Sequence, residues 1–297
     1  MNLESEIRQV RGRLSSPSRL DSNDDRITDL EIIDWIHKGE IQVLKDMAER
    51  EKVTTVATFT ADAAELQGAA TDFPTDILDI VRVVHDGVEC KRIPLREVGA
   101  TAENSLYEPI AGYQQYYYQL ARANGTVNIG ILPAPSTGDV DVYYVKIPTR
   151  RFKHRRGYTT NAGANAQELI DNTLAQVDGY WNGTEVRLLK GDYEGQERTI
   201  TDWTLTGTIL DVGAGAAFPA IIAAEVTFDM GEVSQIPPDF QDLVIVWATY
   251  VGLLKDKEVQ MAQATRDEYQ HYLDMVNQRY GFTREEPGRQ PETAKTL

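Results

Sequence analysis

Apolar residues recur at helical spacing in three stretches of the chain. The first begins at Thr28-Asp29-Leu30-Glu31, where Thr and Glu have the spacing of a capping box. Residues at helical spacing then follow at Leu30, Ile33, His37, Ile41, Leu44 and Ala48. This pattern predicts an amphipathic helix with one buried face. Because no second histidine lies at metal-binding spacing, we expect His37 to be a hydrogen-bonded core residue.

The other two helical stretches lie between residues 236 and 280. Ile236-Pro237-Pro238 precedes a stripe made of Phe240, Leu243, Val244, Trp247, Tyr250, Val251 and Leu254. A second stripe consists of Thr265, Tyr269, Tyr272, Leu273, Val276 and Tyr280. The charged run Lys255-Asp256-Lys257-Glu258 separates the two stripes, so we predict a helical hairpin.

From Thr54 to about Lys146 the apolar period is two, which is typical of β-strands. Asp86-Gly87 and Asn124-Gly125 have the composition of hairpin turns, so an antiparallel sheet is predicted. The tyrosines are expected to pack across strands; they include Tyr116, Tyr117, Tyr118, Tyr143 and Tyr144. Amphipathic helices need a partner for their apolar side, so we expect the helices to cover one face of this sheet.

Residues 152–234 have a different character, because short apolar runs alternate with glycine-containing turns and helical periodicity is almost absent. This pattern predicts a small β-barrel inserted in a loop. The predicted fold class is therefore α+β: an N-terminal helix and a C-terminal helical hairpin pack on an antiparallel β-sheet that carries an inserted β-barrel. The predicted parts are a flexible segment 1–27, a core of 28–151 and 235–282, an insert 152–234 and a tail 283–297.

Composition narrows the function classes. The chain has 46 acidic and 30 basic residues and a net charge of -16, which argues against a protein that coats nucleic acid. Cys90 is the only cysteine, so an internal disulfide is excluded. No apolar stretch approaches the ~20 residues that span a bilayer, and the first residues lack the apolar core of a signal peptide, so we expect no membrane partner.

Motifs for catalysis and for cofactors are absent from the sequence. The histidines are far apart and form no HExxH or HxH pattern; they are His37, His85, His154 and His271. The sequence contains no Walker loop, no dinucleotide fingerprint and no GxSxG elbow. We therefore expect no enzyme activity, no catalytic residues, no cofactor and no metal site.

A basic strip stands out against the acidic background. Five of the seven residues from Arg150 to Arg156 are Arg or Lys. Three interpretations are open: a solvated surface loop, a docking site for acidic side chains of a protein partner, or a DNA contact. DNA contact is the least favoured, because only Phe152 and Tyr158 supply aromatic rings. The candidate docking residues are Arg150, Arg151, Lys153, Arg155 and Arg156.

Three stretches taken in order resemble the head–tail adaptor proteins of tailed bacteriophages. They are DLEIIDWIHKGEIQVLKDMAER, NGTVNIGILPAPSTGDVDVYYVKIP and IPPDFQDLVIVWATYVGLLKDKEVQMAQATRDEYQHYLDMV. The resemblance implies a structural protein that forms a dodecameric ring under the portal, receives tail or neck proteins and continues the DNA channel. It also implies assembly in the host cytoplasm and a final place at the head–tail junction of the virion.

The resemblance has two further consequences. Residues near the C-terminal tail would reach the portal, so Arg284, Arg289 and Lys295 are candidate portal contacts. A negatively lined channel would let double-stranded DNA pass without specific binding, because like charges avoid phosphate capture.

Residues 173–230 resemble a small β-module that recurs in phage structural proteins. The resemblance rests on Trp181-Asn182-Gly183, on the turn from Lys190-Gly191 to Gly195-Gln196, and on Phe218-Pro219-Ala220, together with Arg198–Asp202. An alternative function follows from it: an adhesive or carbohydrate-binding module in which Trp181, Trp203 and Tyr193 stack on sugars. That alternative requires exposed rings, whereas the adaptor function predicts that at least Trp181 is packed inside.

Overall fold

The computed structural model describes residues 1–14, 27–47, 54–60, 74, 76–94, 115–121, 127–132 and 138–279. Within these residues the chain forms helices and mainly antiparallel sheets, so the predicted α+β class is confirmed. The chain divides into two compact units. Unit 1 comprises Met1–Asp46 and Thr149–Leu297, and unit 2 comprises Met47–Pro148.

The helices of unit 1 are α1 (Leu3–Leu14), α2 (Asp29–Asp46), α3 (Pro238–Lys255) and α4 (Val259–Arg279). The predicted capping box starts α2: the backbone N–H of Glu31 donates to the Thr28 hydroxyl, and the backbone N–H of Thr28 donates to the Glu31 carboxylate. The predicted break between α3 and α4 is also confirmed, with Lys257 at a φ of 60° in the turn. The helix α3 packs on the other three.

The N-terminal residues differ from the prediction of a flexible segment. Leu3, Ile7 and Val10 are buried, and residues 3–14 form α1. Their spacing gives about one apolar residue per turn among many charged ones, so the stripe is narrow and easily missed. The buried face of α2 also differs in detail. Leu30 is 61% exposed, whereas Ile32 is fully buried.

The β-strands of unit 1 form a small module around one core. The strands are β7 (His154–Tyr158), β8 (Glu168–Ile170), β9 (Glu185–Leu188), β10 (Glu197–Thr199), β11 (Asp202–Thr204), β12 (Ile209–Asp211) and β13 (Thr227–Gly231). They form a four-stranded antiparallel sheet of order β10-β9-β13-β7 and a three-stranded antiparallel sheet of order β11-β12-β8. The core includes Trp203 and Leu210 from one sheet and Leu188 and Phe228 from the other.

The grouping of helices and module differs from the predicted one, in which the module is a separate insert. Residues at the start of α1 bind the module directly: the N–H of Leu3 donates to the carbonyl of Glu232 at 3.0 Å, and the Asn2 side chain donates to the carbonyls of Glu185 and Asp229. The helix α1 packs on β7 and β13. These contacts place the helices and the module in one compact unit. The packing of helices on the large sheet stays a prediction.

The described residues of unit 2 form the strands β1 (Thr54–Thr60), β2 (Ile77–His85), β3 (Val88–Arg92), β4 (Tyr116–Ala121), β5 (Val127–Leu132) and β6 (Asp139–Lys146). These strands make one sheet of order β1-β6-β2-β3-β4-β5. All described pairings are antiparallel except that of β3 with β4, which is parallel. The Asp86-Gly87 turn is confirmed by positive φ at both residues. The Asn124-Gly125 turn lies outside the described residues.

The buried face of this sheet includes Val83, Cys90, Tyr117, Val142 and Tyr144. Burial raises the pKa of the Cys90 thiol to about 11, so the side chain acts as a core residue and not as a nucleophile. On the other face, Tyr143 lies under the guanidinium of Arg82 at 3.9 Å from the ring centroid. Tyr117, Tyr143 and Tyr144 therefore pack within the sheet, as expected.

Candidate functional site

The basic strip follows β6 and runs into β7, where the chain enters unit 1. Its centre is a buried cluster around Arg151, which is 6% exposed. A terminal nitrogen of Arg151 donates to the carboxylates of Glu6 at 2.5 Å and Glu40 at 2.9 Å, and another donates to the carbonyl of Glu232 at 3.2 Å. The Ser234 hydroxyl also donates to Glu40, at 2.6 Å. One guanidinium thus joins α1, α2 and the strand end after β13.

The cluster holds two buried carboxylates against one cation. Burial raises the pKa of Glu6 from 4.5 to about 7; Arg151 opposes this shift, and the negative charge of Glu40 adds to it. For Arg151, burial lowers the pKa, but attraction by Glu6 and Glu40 outweighs that effect and the pKa is raised. Arg151 therefore stays charged, and Glu6 is the group whose protonation can balance the cluster.

Among the candidate docking residues, Arg151 is buried in the folded chain, and its charge is paired with Glu6 and Glu40 inside unit 1. Arg150 forms an ion pair with Asp34 and lies over the ring of Phe152. The sequence could not distinguish these roles, because the carboxylates that capture Arg151 are more than 100 positions away along the chain.

The other candidates lie nearer the surface. The ammonium of Lys153 is 5.1 Å from the ring centroid of Tyr180, and Arg155 donates to the Thr173 hydroxyl at 2.6 Å. Arg156 is exposed, and its side chain forms no hydrogen bond or ion pair within the described part of the chain; its charge still acts on Asp229, which lies directly opposite it in β13. Of the five candidates, Arg156 is thus the one best placed for a docking contact.

Two exposed aromatic residues accompany Arg156. Tyr158 shares its strand face, because side chains alternate along β7 and Gly157 faces the core against Phe228. Phe152 lies just before the strand. The rings of Phe152 and Tyr158 are 52% and 51% exposed. We call Phe152, Arg156 and Tyr158 the β7 stripe. Aromatic residues and arginine are the types most enriched in protein interfaces.

A second exposed apolar surface lies on α4. The helix buries Ala262, Tyr269 and Leu273 against its own unit. Beside this buried face, Met261, Tyr272 and Met275 are 49%, 37% and 43% exposed. They lie on one side of the helix, since Met261 and Tyr272 are about three turns apart and Met275 is about one turn further on. We call these three residues the α4 stripe. The spacing of the methionines in the sequence could have revealed it.

The candidate tail residues Arg284, Arg289 and Lys295 lie outside the described residues. The residues proposed to stack on sugars are described, and two of them are inside the module: Trp181 is 2% exposed and Trp203 is 1% exposed. Both indole N–H groups donate to Gln176. The third residue, Tyr193, lines a cleft of about 520 Å³ together with Lys190 and Ile221. The two tryptophans therefore form no stacking platform, and the expectation that Trp181 is packed inside is met.

No group of three or more His, Cys, Asp or Glu side chains in the part of the chain that the structure describes is arranged to hold a metal ion. The ring of His37 is half-buried, and burial lowers its pKa; it lies 4.0 Å from Glu40. His154 pairs with Glu4 at 2.8 Å.

None of the helices described above combines the length and the apolar character that crossing a membrane requires.

The sequence of the chain also matches a known protein family. The model of the SU10 adaptor protein family matches residues 1–151, which contain α1, α2 and the whole six-stranded sheet. No curated protein matches the chain. The matched part is just over half of the 297 residues. The chain therefore belongs to the SU10 adaptor protein family, a family of phage head–tail adaptors, and is a structural protein of the phage virion.

Proposed function

We propose that the chain assembles into a dodecameric ring beneath the phage portal, joins the capsid to the tail and continues the DNA channel. The observation that carries the proposal is the family match over residues 1–151. The ring acts by binding and positioning, without catalysis, at the head–tail junction of the virion. Its subunits are made and assembled in the host cytoplasm.

The charge of the chain supports the channel. A net charge of -16 gives a closed ring a strongly negative potential, and double-stranded DNA then slides past without being captured. An assembled ring with a strongly basic channel would overturn this part of the proposal.

The α4 stripe is the proposed contact with the portal. Its three exposed apolar residues lie on the helix that leads directly into the tail 283–297, where the candidate portal contacts Arg284, Arg289 and Lys295 are located. Apolar side chains flanked by charged ones are typical of protein contacts that form after folding. The stripe and the tail residues are thus both proposed to contact the portal.

The test places charge in this surface. Tyr272→Lys combined with Met275→Lys is expected to weaken portal binding at least about tenfold, because two ammonium groups would have to be desolvated in the contact. The matched control is Gln263→Lys combined with Gln270→Lys, which adds the same charge to exposed positions elsewhere on α4. Binding to purified portal protein is measured by surface plasmon resonance. Equal affinity of the two double variants would remove the α4 stripe from the portal contact.

A further inference from the structure

We propose that neighbouring protomers are joined head to tail through their β-modules, the β7 stripe of one protomer binding the outer face of the three-stranded sheet of the next. This inference rests on the proposed ring and names the contact that would close it. The occupant of the β7 stripe is thus a second copy of the same chain.

The first half of the contact is basic and aromatic. Arg156 and Tyr158 lie on the face of the four-stranded sheet that points away from the module core. The helix α1 covers the neighbouring strand of this face, where Arg8 pairs with the buried Asp229 at 2.8 Å. The helix leaves Arg156 and Tyr158 exposed on the edge strand β7. The stripe therefore offers an exposed cation and two aromatic rings of about half exposure.

The second half of the contact is acidic. In the three-stranded sheet Asp202 lies directly opposite Asp211, and Asp211 lies directly opposite Glu168. We call these residues the acidic row. Like charges directly opposite one another destabilise a sheet. Within residues 138–279, where the whole module is described, none of the three forms an ion pair. A cation supplied by another molecule would relieve their repulsion.

The three carboxylates of the acidic row differ in the hydrogen bonds that they already accept. In the acidic row, Glu168 accepts from the N–H of Ala164 and from Asn165, and Asp211 accepts from the N–H of Gly213. Asp202 is exposed and makes only a long contact of 3.5 Å with the Thr204 hydroxyl. Asp202 is thus the best acceptor for an incoming guanidinium, and the proposed central pair is Arg156 with the neighbour's copy of Asp202.

The positions of the two surfaces fit a head-to-tail contact. The module core lies between the two sheets: Trp203 and Leu210 face it from one side, and Phe228 faces it from the other. Since side chains alternate along a strand, the acidic row and the two stripe residues within β7, Arg156 and Tyr158, lie on the outer faces of the two sheets. Complementary patches on opposite sides of one body make a heterologous contact, which closes into a ring when the rotation is right.

The test uses two full-length charge-reversal variants, Arg156→Glu and Asp202→Arg, each alone and then mixed in equal amounts. Each variant alone is expected to lose ring formation on the portal by at least about tenfold, because the contact would bring like charges together. The mixture is expected to assemble, since every interface in an alternating ring then pairs opposite charges. Native mass spectrometry and particle images of the portal-bound material measure the outcome.

A control variant shows whether any charge reversal in the module disturbs ring assembly. Lys190→Glu reverses an exposed cation of the same module outside the stripe and is expected to assemble normally. Recovery in the mixture excludes misfolding as the reason for failure of the single variants. Normal assembly of both single variants, or no recovery in the mixture, would overturn the proposed contact. Failure of the unaltered protein to form a ring on the portal would instead overturn the proposed function.

Discussion

Replacing Arg151 by methionine is expected to lower the free energy of unfolding by about 3–5 kcal/mol at pH 7.5. The substitution leaves Glu6 and Glu40 buried together without their cation, and a buried charge that loses its partner is costly in this range. Chemical denaturation followed by circular dichroism measures the change. A loss below about 1 kcal/mol would show that the cluster does not hold α1 and α2 to the module.

Two further variants separate charge from packing. Arg156→Met removes an exposed arginine of the same strip and is expected to change stability by no more than about 0.5 kcal/mol. Adding Glu6→Gln and Glu40→Gln to Arg151→Met is expected to restore most of the loss, since a buried ion cluster can be replaced by neutral groups at little cost. If the triple variant is as unstable as the single one, lost packing of the long arginine side chain is the cause.

Glu6→Gln is expected to make the protein less sensitive to rising pH. The pKa of Glu6 is about 7 in the folded chain against an ordinary value of 4.5, so the folded state binds its proton more tightly than the unfolded state. The resulting stabilisation is complete below about pH 4.5 and is lost as the pH rises through about 7. Between pH 5 and pH 8 the loss is about 2–3 kcal/mol, from 1.36 kcal/mol per pKa unit.

The difference between variant and unaltered protein isolates this group. Glu6→Gln is expected to gain about 2–3 kcal/mol relative to the unaltered protein when the pH is raised from 5 to 8. Glu194→Gln, at an exposed glutamate, serves as the control and is expected to show no such gain. Urea titrations at the two pH values measure both. If Glu6→Gln and the unaltered protein lose stability in parallel, Glu6 is ionised throughout this range and the cluster is balanced in another way.

Some helices of unit 1 could be predicted from the local sequence, and one could not. The capping box at Thr28, the proline-led start of α3 and the charged break after Lys255 are encoded within a few residues, so their positions could be predicted. The helix α1 could not, because its stripe is narrow and its stability comes from contacts with β13 and α3. The same distant contacts decide that the module packs with the helices.

The roles of the side chains in the candidate site also depend on distant contacts that the local sequence does not show. Composition identified the basic strip, but the arginines at 150, 151 and 156 look alike in sequence and have different roles. Arg151 is buried with two carboxylates, Arg150 is paired with Asp34, and Arg156 is exposed. The acidic row was missed because Glu168, Asp202 and Asp211 become neighbours only through strand pairing. The tryptophans of the module similarly needed the core to reveal that they are buried.

The most direct test of the central claim is to mix the purified protein with the portal protein of the same phage and to record native mass and particle images. The proposed function predicts a closed ring of twelve copies on the portal, with an acidic channel along its axis. A protein that stays monomeric and unbound beside intact portal rings would contradict the account.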